Sequence, residues 1–153
     1  ANTNGGRGGR WALGLELLEA NGVWTGVGHG MFGGAVAVQN KVLDYIQYFY
    51  IDTYYLKTMV ETGYLGLGAF VLMQLGMIVT SCRSICRTGT QWKAKQSRNY
   101  PLVVGMFCGL CGVLVHCFFE NIFEEPYMMV YFWAIAAMIV YFGFLRKPQE
   151  VST

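Results

Sequence analysis

Three long stretches without a formal charge constrain the fold of this chain more than any other feature: residues 64–81, 101–119 and 127–145. A helix needs roughly 20 apolar residues to cross the hydrocarbon of a bilayer, and each stretch is close to that length. The strands of a membrane barrel would alternate between apolar and polar residues, and these stretches do not alternate. Hydrophobic residues make up 54% of the chain and charged residues 13%, which is too apolar a balance for a soluble domain. The sequence therefore predicts an all-α integral membrane protein with three transmembrane helices.

The distribution of charge orients these helices. Five basic residues and no acidic residue lie between the first two stretches, whereas the turn at 120–126 carries three acids and no base. Cytoplasmic loops are enriched in Lys and Arg, so the turn belongs on the outer side. The predicted regions are an extracytoplasmic loop region with short helices at 1–62, transmembrane helices at 63–82, 101–119 and 127–145, a basic cytoplasmic loop at 83–100, an acidic outer turn at 120–126 and a cytoplasmic tail at 146–153.

The surroundings of the chain can also be predicted. It begins without an initiator Met and without a basic and apolar signal segment, so we expect further helices upstream, in a larger polytopic bundle. The formal net charge of +2 is too small and too scattered to predict a nucleic-acid partner. Membrane lipid is the expected environment.

The predicted outer region contains a short helix, a glycine loop and an aromatic stretch. Residues 11–20 place leucines at helical spacing, with Glu16 and Glu19 on the other side, which predicts an amphipathic helix near the membrane surface. Six glycines between residues 22 and 34 exclude a regular helix there. Six aromatic residues between 44 and 55 are typical of a segment at the headgroup level. A helix that begins near Asp52 is expected to continue into the first transmembrane helix.

Charged side chains of the outer region are the candidate functional groups. Arg10 offers a planar fork of donors that matches a phosphate or diphosphate, although an interfacial arginine also binds lipid headgroups. Asp52 and Glu61 lie loosely on one side of the predicted helix, and either can act as a base or orient a sugar hydroxyl. Asp52 alternatively caps the N-terminus of that helix.

Polar residues elsewhere allow two interpretations each. His116, Glu120 and Asn121 form either a polar cluster beneath a binding site or a hydrogen bond between helices. His29 is either a titrating base or a loop residue without a catalytic role. Its glycine loop lacks the preceding strand that a dinucleotide-binding motif requires. The five cysteines predict no metal site, since the C-x-x-C pair at 108–111 lies in an apolar stretch where small residues pack helices.

Four segments, in order, carry a resemblance to a known family. Arg10 and Trp11 precede a glycine loop at residues 26–32, which resembles a G-x-G-x-x-F motif. Residues 52–56 with 61–66 resemble H-N-x-Y-L and E-x-G-x-x-G at the entry to a transmembrane helix. Residues 116–121, with the later Pro126 and Trp133, resemble H-x-x-F-[DE]-N…P…W. Over nearly the whole chain, the ordered set resembles the C-terminal region of the bacterial O-antigen ligase and polysaccharide polymerase family.

The resemblance implies a metal-independent glycosyltransferase, without a cofactor, on the outer face of the bacterial inner (cytoplasmic) membrane. The donor would be a glycan on an undecaprenyl diphosphate carrier, with other polysaccharide-assembly proteins as partners. Arg10 would hold the diphosphate and stabilise the charge that grows on the leaving group. The implied catalytic residues are Asp52, Arg10 and Glu61, and the implied substrate-binding residues are Arg10, Gly28, His29, Gly30, Tyr55, His116, Glu120 and Asn121.

One position departs from the family pattern. The ligases have a histidine, taken as the base that activates the acceptor, where this chain has Asp52, and an asparagine where it has Thr53. Aspartate can serve as a base, and the change favours polymerisation of repeat units, in capsule, exopolysaccharide or O-antigen assembly, over ligation to lipid A. The alternatives are an O-antigen ligase that transfers glycan to a lipid acceptor, a transporter of lipid-linked glycan and a non-enzymatic membrane subunit.

Overall fold

A computed structural model describes residues 6–39, 52–94 and 99–146. These residues form helices joined by turns, with no strand among them, as predicted. The elements are α1 (Arg7–Asn21), α2 (Gly34–Gln39), α3 (Tyr54–Lys93), α4 (Tyr100–His116), a 3₁₀ turn (Ile122–Glu124) and α5 (Pro126–Val140), which continues into a π-helical turn (Tyr141–Leu145). The chain divides into two compact units, one of Ala1–Val71 and His116–Glu125, the other of Leu72–Val115 and Pro126–Thr153.

Two helices are long and apolar enough to cross a membrane: α3, with 40 residues, and the 20 residues of Pro126–Leu145. Within the chain, only 11% of the apolar window of the first and 22% of that of the second are buried. A helix in the core of a soluble protein is buried on its apolar face, whereas most of these two apolar windows is exposed. Their length, composition and exposure indicate membrane association.

Two of the three predicted spans, those in α4 and α3, differ from the structure at their ends. Helix α4 is apolar but has 17 residues, because the chain leaves the helix at His116 and residues 117–119 form a turn. Helix α3 continues beyond the predicted end at residue 82 as far as Lys93, so residues 83–93 are helical rather than loop. Contacts in the second unit explain the extension. Ser84 Oγ donates to the carbonyl of Ile139 at 2.8 Å, and Ser84 and Thr88 are fully buried.

The core of the first unit lies between α1, the glycine loop at 22–34 and the start of α3. Phe32, Leu56 and Val60 are buried together, with Leu13 and Leu17 of α1 packed against them. Burying apolar side chains from three segments in this way holds α1 and the glycine loop on the first two turns of α3.

Helix α3 is broken at Gly63, which has a φ of 69° and a ψ of −172°. In an unbroken helix the carbonyls of residues 60 and 61 would accept the N–H groups of residues 64 and 65. Here those carbonyls accept from the loop instead: Val27 N–H bonds to Val60 O at 2.9 Å, and Gly28 N–H bonds to Glu61 O at 3.0 Å.

The loop in turn supplies the acceptors that the helix has lost. Tyr64 N–H bonds to Val23 O at 2.9 Å, and Leu65 N–H bonds to Trp24 O at 3.4 Å. The exchange satisfies all four groups at the break, as buried backbone requires. It also demands glycine at position 63, because a Cβ there would overlap the backbone of Trp24 and the positive φ disfavours other residues.

Some predictions concern residues outside the described ranges. Most of the aromatic stretch at 44–55 lies outside them, as do Lys95, Arg98 and Lys147 of the predicted cytoplasmic segments.

Candidate functional site

Arg10 and Asp52 lie against each other in the first unit. Arg10 is in the first turn of α1, and Asp52 comes two residues before α3, so the packing of α1 on α3 brings them together. Arg10 Nη1 donates to Asp52 Oδ1 at 2.9 Å, and the two side chains are 24% and 17% exposed. Arg7, one turn earlier, places its Nε 3.6 Å from Asp52 Oδ2. Two guanidinium groups therefore surround one carboxylate.

The side chain of Asp52 contacts α1. The Asp52 carboxylate is engaged by arginine side chains from another helix, and it does not lie within α3 beside Glu61. The two groups that the resemblance implies for the diphosphate and the acceptor hydroxyl thus form an ion pair with each other. A charge-assisted pair of this kind is stronger than a neutral hydrogen bond, so it orders both groups.

Glu61 is the most deeply buried carboxylate that the structure describes, with 2% of its side chain exposed. Its Oε1 accepts the backbone N–H of Phe32 at 3.2 Å, and its Oε2 lies 3.3 Å from Nδ1 of His29. The His29 side chain is 89% exposed. Glu61 therefore links α3 to the glycine loop through the buried N–H of Phe32, and the exposed His29 contacts its other carboxylate oxygen.

Lys57 joins this cluster, and it is a residue that the sequence analysis missed. Its Nζ lies 2.9 Å from Glu124 Oε1, 3.5 Å from the carbonyl of Gly33 and 3.9 Å from Glu61 Oε1. Its side chain is only 8% exposed. The available signal was the spacing of four residues between Lys57 and Glu61, which places both on one face of a helix. Glu124, more than sixty residues away in sequence, gave no such signal.

The turn that follows α4, residues 117–125, packs against the start of α3. Tyr54 N–H bonds to the carbonyl of Cys117 at 3.0 Å, and Thr53 Oγ1 donates to that of Phe118 at 3.1 Å. Asn121 is buried and donates through Nδ2 to Glu124 Oε2. The turn is therefore fixed to α3 by backbone and side-chain hydrogen bonds.

His116 and Glu120 lie apart from this cluster. They pair with each other at 3.2 Å, one helical turn apart, and both side chains are at least half exposed. The contact between His116 and Glu120 lies within one short segment. Asn121, by contrast, faces inward.

The other predicted binding residues have structural contacts. The N–H of Gly28 is used by the Glu61 carbonyl, so it does not point at a ligand, and Gly30 is buried with a φ of 74°. The Tyr55 ring lies 4.4 Å from that of Phe118, centroid to centroid. Among the residues in the described ranges, no three His, Cys, Asp or Glu side chains converge where they could hold a metal ion.

The charges form two groups with different chemistry. Arg7 and Arg10 with Asp52 make a partly exposed cationic group that suits an anion. Lys57 with Glu61 and Glu124 makes a mostly buried group with one cation and two carboxylates, and the exposed His29 lies at its edge. In comparisons with models of protein families, with curated proteins and with solved structures, nothing matches this chain.

Proposed function

We propose that this chain is part of a membrane glycosyltransferase that polymerises or transfers undecaprenyl-diphosphate-linked oligosaccharide units on the outer face of the bacterial inner membrane. The observation that carries the proposal is the meeting of Arg10 and Asp52, which lie 42 residues apart in two segments of the family-like pattern. The pattern assigned them to the donor and the acceptor, and a glycosyl transfer needs those two groups side by side.

The proposed reaction uses both groups. Asp52 accepts the proton of an acceptor sugar hydroxyl as its oxygen attacks the anomeric carbon of the donor. The bond from that carbon to the diphosphate oxygen breaks, and the carrier diphosphate leaves with the electron pair. Arg10 stabilises the negative charge that grows on this leaving group, because its planar fork matches two phosphate oxygens. No metal ion is required for these steps.

The Asp52 carboxylate occupies the side of Arg10 that is proposed to bind the donor diphosphate. A diphosphate carries more negative charge than one carboxylate and competes for the same guanidinium, with Arg7 within reach of the same place. When the diphosphate binds Arg10, Asp52 loses this hydrogen-bond partner, and its carboxylate is free to accept from the acceptor hydroxyl. Donor binding and exposure of the base are therefore coupled in the proposal.

The membrane topology belongs to the same proposal. Helix α4, although shorter than the other two, is the third transmembrane helix, and it carries the outer turn at its C-terminal end. The glycine loop, Asp52 and the outer turn then share the extracytoplasmic side. Fixing these segments to one another, as the Gly63 exchange and Lys57 do, supports a preorganised site.

The test compares carrier-linked glycans from cells that express the full-length protein, as wild type, as Arg10→Ala and as Arg83→Ala. Arg83 is an exposed arginine of the second unit and provides a control for loss of charge. At matched membrane abundance, we expect a ladder of repeat lengths in wild type and Arg83→Ala, and single units in Arg10→Ala. An unchanged ladder in Arg10→Ala would remove Arg10 from the mechanism and favour transport or scaffolding.

A further inference from the structure

We infer that Lys57 is a positioning residue for Glu61, which it holds in place by charge while it ties the glycine loop to the outer turn. The inference rests on the proposed function for its effect on turnover, but the positioning itself can be measured without any reaction. Lys57 is 8% exposed, so it acts through its neighbours and does not touch substrate.

The contacts of the Lys57 ammonium join three segments that are distant in sequence. Gly33 belongs to the glycine loop, Glu61 to α3 and Glu124 to the outer turn, and each offers an oxygen within 4 Å of Nζ. Nζ donates hydrogen bonds to Glu124 Oε1 and to the carbonyl of Gly33, and it lies at ion-pair distance from Glu61 Oε1. Lys57 thus contacts all three segments, each of which carries one of the family-like motifs.

Charge makes the position of Glu61 depend on Lys57. Two carboxylates, the buried Glu61 and the partly exposed Glu124, face one ammonium, and the only other basic group at Glu61 among the described residues is His29, which is 89% exposed. A charged carboxylate that is buried without a cation is strongly disfavoured, so it turns toward water or becomes neutral. Without Lys57, either change at Glu61 would weaken or break its hydrogen bond with the N–H of Phe32.

Hydrogen exchange at the Phe32 amide reports this directly, because that N–H is bonded to Glu61 Oε1. The experiment uses the full-length protein in lipid nanodiscs, as wild type, Lys57→Met, Lys57→Arg and the charge exchange Lys57→Glu with Glu124→Lys. We expect faster exchange at Phe32 in Lys57→Met and protection close to wild type in Lys57→Arg.

The charge exchange distinguishes two roles of Lys57: positioning of Glu61 by its charge, and attachment of α3 to the outer turn through Glu124. It restores an ion pair between residues 57 and 124, but it puts a carboxylate beside Glu61. We expect thermal stability to recover only in part, because the ion pair is restored while Glu61 faces a like charge, and we expect Phe32 exchange to stay fast. Recovery of Phe32 protection in that variant would reduce Lys57 to a tie between α3 and the outer turn, and unchanged exchange in Lys57→Met would overturn the inference outright.

Turnover provides the second readout. At matched abundance, Lys57→Met is expected to lower kcat by about tenfold or more, because Glu61, an implied catalytic residue, loses its position. The donor KM should stay within about threefold of wild type, because Arg10 and Asp52 are held by other contacts. A raised donor KM with unchanged kcat would contradict the assignment. If the wild-type protein transfers no sugar, the proposed function fails, and the Phe32 exchange still decides the role of Lys57.

Discussion

Replacing Asp52 with asparagine should tighten the binding of a diphosphate while it abolishes turnover. Arg10 is hydrogen-bonded to Asp52, so a diphosphate must displace Asp52 from Arg10, and removal of the Asp52 charge removes a competitor. Most substitutions in a binding site weaken binding, and a gain in affinity from loss of a catalytic group is therefore a discriminating outcome.

The size of the effect follows from the geometry of the pair. At 2.9 Å, with side chains 24% and 17% exposed, Arg10 and Asp52 form a charge-assisted hydrogen bond partly shielded from water. Such bonds contribute about 1.5–3 kcal/mol, and the lower end applies because both groups keep some contact with solvent. An amide at position 52 retains a carbonyl acceptor, so about 1.4 kcal/mol, or roughly tenfold in affinity, is the expected gain.

The assay is titration calorimetry of the full-length protein in nanodiscs, with inorganic pyrophosphate and a short-chain prenyl diphosphate as probes. Glu16→Gln serves as the control, since Glu16 is an exposed carboxylate on α1 and its loss changes the net charge equally. We expect the order of affinity to be Asp52→Asn, then wild type and Glu16→Gln, then Arg10→Ala. Transfer by Asp52→Asn should fall by about 10²–10⁴-fold through loss of the base. Binding by Asp52→Asn that is no tighter than wild type would refute the competition between Asp52 and the diphosphate.

Three further predictions concern the fold and the topology. Gly63→Ala should destabilise the full-length protein by at least about 1–3 kcal/mol through backbone strain, seen as a lower Tm, whereas Gly68→Ala, which points into open space, should not. Gly143→Ala should also lower the Tm, because the added methyl meets Ser84, and Ser84→Gly in the same chain should recover only part of the loss, since it also removes the hydrogen bond to Ile139. Membrane-impermeant thiol reagents added outside intact cells should miss the exposed Cys82 and Cys86, which a permeant reagent labels; efficient labelling by the impermeant reagent would reverse the proposed topology.

The sequence predicted the elements of this chain better than their ends and their contacts. Apolar length identified the long helices, and the density of glycine identified the loop, because both signals are local. The extension of α3 to Lys93 was missed because it depends on buried contacts of Ser84 and Thr88, which look like ordinary polar residues after a basic boundary. The break at Gly63 was missed because a single glycine is tolerated in many helices.

The candidate site shows the same division. Arg10, Asp52 and Glu61 were named from residue type and pattern, but the pattern could not reveal that Arg10 and Asp52 bind each other. Lys57 and Glu124 were missed as a pair since an ion pair across 67 positions leaves no local trace in one sequence. Burial of a lysine on the apolar side of a predicted helix is the kind of local conflict that can mark such a pair.

The hydrogen-bond exchange at Gly63 changes how the separate motifs should be weighed. The glycine loop needs the carbonyls of Val60 and Glu61, and the break in α3 needs those of Val23 and Trp24, so these two motifs are halves of one structural device. Their joint presence is therefore explained by folding alone and carries little information on chemistry. Arg10 and Asp52 have no part in that exchange. An ion pair between arginines and a carboxylate often contributes no more to stability than an apolar contact of similar size, so the fold does not require Arg7 and Arg10 beside Asp52. The case for a diphosphate site consequently depends on these two residues, which is why the affinity of the Asp52→Asn protein tests it more sharply than any substitution in the glycine loop.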